Sequence, residues 1–113
     1  MSPHDFRRIA LALPGVTEGS HHGHADFRFE GRVIASLGYP DAGHGMVRLD
    51  EARQAMFLHL DPAFAPAAGA WGRQGSTVVR LAAVAEALLR DALAAARDHA
   101  ATVKPARVRR RPV

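Results

Sequence analysis

ADFRFEGRVIASL, residues 25–37, is the stretch that decides the fold class. Apolar and polar residues alternate in both halves. Phe27 and Phe29 share one face of the first half, and Val33, Ala35 and Leu37 share one face of the second. Period-two alternation marks a half-buried strand, and Glu30-Gly31 has the chemistry of a tight hairpin turn. Tyr39 to His44, with Pro40, Asp41 and Gly43, makes a second turn before a third strand at Met46–Leu49. The three strands are expected to form an antiparallel meander.

On the N-terminal side, GVTEGSHHGHA (15–25) has no periodicity and reads as a loop. Before it, Ser2 is an N-cap, Pro3 stands at the first helical position and Asp5 stands where a capping box needs an acid. Phe6, Ile9, Ala10 and Leu13 then follow helical spacing until Pro14-Gly15. On the C-terminal side, Asp50 caps a second helix to about Leu58, with Ala52, Ala55, Met56 and His59 on one side. PAFAPAAGAWGRQG (62–75) is punctuated by Pro and Gly. Phe64 can head only an edge strand there, because the neighbouring prolines lack a ladder donor. Ser76–Leu81 alternates, with Thr77, Val79 and Leu81 on one face. A long helix follows from about Val84 to Ala101, with Val84, Leu88, Leu89, Ala92, Leu93 and Ala96 as its apolar stripe.

Helices and strands do not alternate singly, so a doubly wound parallel sheet is disfavoured. The expectation is an α+β, two-layer fold: an antiparallel sheet with helices on one face, in the order helix, three strands, helix, one or two strands, helix. The 113 residues suit one domain, at 1–103, followed by a basic segment at 104–113 that reads as a disordered tail. No cysteine is present, which excludes disulfides and thiolate metal sites and fits a reducing, cytoplasmic setting. No apolar run approaches the length of a membrane span, and no signal peptide is read at the N-terminus.

The net charge of +4 is unevenly placed. Five of the 15 basic residues are Lys104, Arg107, Arg109, Arg110 and Arg111, leaving ten against 11 acidic residues in 1–103. Any sequence-independent attraction to phosphate therefore resides in the tail, which reads equally as a solvated terminus.

No catalytic motif stands out. None of the serines lies in a G-x-S-x-G elbow, and Gly69, Gly72 and Gly75 precede a strand rather than a helix, unlike a phosphate cradle. His21, His22 and His24, with Asp26 nearby, have metal-ligating chemistry but lie in a stretch read as a mobile loop, so they are weak metal candidates and no cofactor is expected. Trp71 either folds over the core or, with Arg73 beside it and Arg28 near, offers an aromatic and guanidinium pair for a base or an anion.

Four stretches together resemble the MmcQ/YjbR family of small bacterial proteins: DFRRIALALPG (5–15), EGSHHGHADFR (18–28), GRVIASL (31–37) and AWGRQGSTVVRL (70–81). The resemblance runs from about Phe6 to His99. It implies an α-β(3)-α-β(2)-α fold similar to type III secretion chaperones, which adds a short strand near Phe64. Members are commonly labelled DNA-binding, and no catalytic residues carry over. The leading expectation is a non-enzymatic binding module, with the 26–37 hairpin (Arg28, Arg32), Arg73 and the basic tail touching nucleic acid non-specifically. Two alternatives stand beside it. One is a small-ligand or metal-binding protein with a pocket between the His21–Arg28 and Trp71–Gly75 segments, using His21, His24, Asp26, Arg28 and Trp71. The other is a protein-interaction adaptor. The oligomeric state is left open.

Overall fold

The computed structural model describes residues 1–103. Ser2 opens the first helix, α1 (Pro3–Ala12), with a reciprocal capping box. The Asp5 amide donates to Ser2 Oγ at 3.1 Å, and the Ser2 amide donates to Asp5 Oδ2 at 2.9 Å. Four strands follow: β1 (Val16–His21), β2 (His24–Phe29), β3 (Arg32–Leu37) and β4 (His44–Arg48). Then come α2 (Glu51–Leu60), β5 (Phe64–Pro66), α3 (Gly69–Arg73), β6 (Ser76–Arg80) and α4 (Glu86–Thr102). The six strands form one antiparallel sheet in the order β1-β2-β3-β4-β6-β5. The α+β class is as read from the sequence, but the element order gains a strand at the N-terminal edge and a short helix before β6.

The added strand is the segment expected to be a loop. β1 buries only Val16 well, so it carries no apolar alternation. It is held by its backbone ladder, which runs in register from Val16↔Phe29 to His21↔His24. The turn that makes this possible is His22-Gly23, with φ of 51° and 79°. Glu30-Gly31, at 52° and 80°, repeats the same backbone at the next hairpin. Positive φ at both central residues matches the twist of the flanking strands. A polar outer strand also discourages edge-to-edge association.

The second correction concerns β3. Phe27 faces Ala35 but Arg28 faces Val33, so Ile34 is an extra residue and the strand is bulged there. A bulge breaks strict alternation. Ile34 is fully buried, while Val33 is only half-buried and turns to the other face of the sheet.

α1 and α4 cover one face. Phe6, Ile9 and Ala10 from α1 and Leu89, Ala92, Leu93 and Ala96 from α4 pack on Phe27, Ile34, Val47 and Val79. α2 extends the core at the β5 end, where the Phe57 and Phe64 ring centroids are 5.3 Å apart. Its buried side is Gln54 and Phe57, not the expected Ala52, Ala55, Met56 and His59; Met56 is half exposed. The reason is tertiary. Gln54 Nε2 donates to the carbonyls of Gly72 (3.0 Å) and Ser76 (3.1 Å), fixing the rotation of α2. α4 begins after Ala85 with no side-chain cap, two residues later than its apolar pattern suggests. Among the described residues no helix layer covers the opposite face of the sheet.

Candidate functional site

The uncovered sheet face holds a groove of about 820 Å³. Its floor follows from register. Met46 faces Ser36 on one side and Val78 on the other, and Val78 faces Ala65, so these residues from β3, β4, β6 and β5 form one row. Val33, displaced by the bulge, extends the apolar floor. His21, His22 and Tyr39 stand at one end, Arg48 and Trp71 at the other. Among the described residues no carboxylate borders the groove.

The histidine end is built on Asp26, whose residue surface is fully buried. Arg28 Nε and Nη2 donate to its two oxygens at 2.8 and 3.0 Å, and His21 Nδ1 lies 2.6 Å from Oδ2. The Arg28 hydrogen bonds hold the carboxyl below its ordinary value of 3.8; burial opposes this, and His21 assists Arg28. In return Asp26 raises the pKa of Arg28. An ionised carboxylate only accepts, so the proton between His21 and Asp26 sits on Nδ1. When neutral, His21 then has Nε2 as an acceptor, and Nε2 has no hydrogen-bond partner among the described residues. Gly19 faces Asp26 across the β1–β2 ladder. A Cβ there would lie 3.0 Å from Asp26 Oδ1 and 3.1 Å from the Arg28 guanidinium, so a glycine gives the ion pair its room. Tyr39 lies near-parallel to His21, with centroids 6.1 Å apart, and packs on His24 at 4.3 Å.

The tryptophan end depends on α3. The run expected to be an irregular turn winds into five helical residues, Gly69–Arg73. Gly72 lies so close to Ala67 that a Cβ would meet its carbonyl oxygen at 1.7 Å. Only glycine lets α3 sit against the strand and hold Trp71 above the open face. Trp71 does not fold over the core. It is 57% exposed, with the Arg48 guanidinium 5.0 Å from its ring centroid. Desolvation lowers the Arg48 pKa from its ordinary value, yet an arginine stays charged there. Arg48 has no carboxylate partner among the described residues.

The residues singled out from sequence are therefore divided. His21 and Trp71 border the same groove from opposite ends, together with His22. Asp26 and Arg28 lie behind His21, and His24 supports Tyr39. Arg32 begins β3, half-buried and outside the groove lining. Arg73 is exposed at the end of α3, and Arg48, not Arg73, lies on the Trp71 ring. Lys104, Arg107, Arg109, Arg110 and Arg111 lie outside the described residues. Among the described residues no three His, Asp or Glu side chains are grouped to hold a metal ion. His21 and His22 meet edge to face, with ring centroids 5.9 Å apart.

Arg48, Tyr39 and Met46 were missed in the sequence. Met46 and Arg48 have the i, i+2 spacing that places both on one strand face, but nothing local marks that face as the open one. No helix among the described residues is long and apolar enough to cross a membrane. Compared with protein-family models, curated proteins and solved structures, the chain matches none.

Proposed function

We propose that the chain is a non-enzymatic binding module of the MmcQ/YjbR type that takes a small, apolar-bodied ligand into the groove on its open sheet face. The observation that carries this reading is the groove itself. Its volume of about 820 Å³ lies inside the range of small-ligand sites. Its aliphatic floor and the aromatic rings at both ends would remove a flat apolar body from water. Polar groups sit at the ends, the arrangement that orients a ligand.

Trp71 is the only tryptophan, so its emission reports directly on the groove. Titration with the neutral arene N-phenyl-1-naphthylamine should give saturable quenching. Ala65→Phe and Val78→Phe, which fill the floor, should weaken it at least tenfold while the far-ultraviolet circular dichroism stays native. Absence of saturation, or equal affinity in both filled variants, rejects the reading.

A nucleic-acid reading is favoured by one feature, the exposed Trp71 ring carrying Arg48, with Arg73 on the same short helix. Aromatic and guanidinium platforms stack single-stranded bases. The five basic residues at 104–111 would add salt-sensitive attraction. Arg28 adds less, because Asp26 engages its Nε and Nη2. Fluorescence anisotropy on labelled single-stranded and duplex DNA, at several salt concentrations, separates the contributions. Binding retained by a chain ending at residue 103 supports the domain. Loss on that truncation assigns binding to the basic segment, and no binding at low salt by either chain rejects the reading.

A further inference from the structure

We infer that the groove selects an anionic arene, an aromatic body bearing a carboxylate or sulfonate, and that Arg48 holds the acid group. The inference rests on the ligand-binding reading above and names the class of ligand.

Among the described residues Arg48 is the only arginine lining the groove, and none of them neutralises its charge. Of the other arginines, Arg28 is engaged by Asp26 and Arg53 by Asp50 at 2.7 Å. Among the described residues no carboxylate borders the groove to repel an anion. Trp71 covers one face of the guanidinium and strips part of its water. Its N–H fork is left for a ligand, and such a fork matches a carboxylate or sulfonate in a bidentate contact.

The opposite end sets the direction. Asp26 accepts the hydrogen bond that His21 Nδ1–H donates, so a neutral His21 offers Nε2 as an acceptor where the ligand would end. An acceptor suits a hydroxyl or amine and disfavours an acid group. The ligand would thus lie across Val78 and Met46, its acid at Arg48 and its ring between Trp71 and Tyr39. General attraction is not the cause, because residues 1–103 hold ten basic against 11 acidic residues.

A matched pair of probes tests this. One is 8-anilinonaphthalene-1-sulfonate, and the other is N-phenyl-1-naphthylamine, the same arene without the sulfonate. The quantity read is the ratio of their affinities, which cancels differences in intrinsic hydrophobicity. Arg48→Gln should lower the sulfonate-to-neutral ratio about tenfold, with the neutral probe little changed. Arg48→Lys should restore part of the ratio, and Arg90→Gln, on α4 away from the groove, should leave it at the native value. A ratio unchanged in Arg48→Gln, or lost in Arg90→Gln, overturns the inference while the groove reading survives. Failure of both probes to bind the native chain removes the groove reading itself. Melting curves of each variant separate these outcomes from misfolding.

Discussion

Replacing Asp26 with alanine should destabilise the domain in a manner that depends on pH. The carboxylate accepts three charge-assisted contacts, from Arg28 Nε at 2.8 Å, Arg28 Nη2 at 3.0 Å and His21 Nδ1 at 2.6 Å. Their gross worth is not the net loss. The Arg28 and His21 side chains are 41% and 37% exposed and recover water once the carboxylate is gone. Removing Asp26 also relieves the cost of burying it. The balance is a loss of about 2 kcal/mol at neutral pH, or about 9 °C in melting temperature for a domain of this size.

The sign of the pH effect follows from linkage. The folded pKa of Asp26 is depressed. Its contribution is therefore complete above the unfolded value of about 3.9 and is lost as pH falls through the folded pKa. The gap between native chain and Asp26→Ala should be widest near neutrality and narrow steadily below about pH 4. Thermal melts followed by circular dichroism across that range provide the assay. Asp26→Asn keeps the shape and one acceptor but sets an amide against the His21 Nδ1 proton, so its melting point should fall between the two. A drop below about 2 °C at neutral pH, or a gap of constant size into acid, would refute the reasoning.

Other perturbations separate fold from site. Gly72→Ala should cost about 3 kcal/mol in urea unfolding, because its Cβ collides with the Ala67 carbonyl rather than with a movable side chain. Leu93→Ala, in the fully buried stripe of α4, should cost about 3 kcal/mol by leaving a cavity under the sheet. Trp71→Ala should change stability by less than about 1 kcal/mol, since the ring is mostly exposed and touches chiefly Arg48. The same variant should weaken arene binding severalfold, measured by probe fluorescence.

Local chemistry was legible in the sequence, and non-local placement was not. The Ser2–Asp5 capping box, the Glu30-Gly31 turn, the inward row of β6 and the stripe of α4 depend on residues close in the chain, and each was read correctly. β1 escaped because its side chains are mostly exposed, so its pairing with β2 left no apolar period. Its one local signal was His22-Gly23, which has the same backbone as Glu30-Gly31. The face of α2 was misread because Gln54 is buried by two carbonyls some twenty residues away. The two ends of the groove showed the same limit. His21 and Trp71 stand out by residue type, whereas Arg48 matters only because β4 pairs with β6 and α3 carries Trp71 over it.

The most direct test is to map where an arene contacts the chain. In ¹H–¹⁵N correlation spectra of labelled protein titrated with N-phenyl-1-naphthylamine, shifts should concentrate at Val33, Met46, Arg48, Val78 and the Trp71 indole. The amides of the outer turns of α1 and α4 should stay fixed. Shifts centred on those helices, or spread evenly over the surface, would contradict a ligand groove on the open face of the sheet.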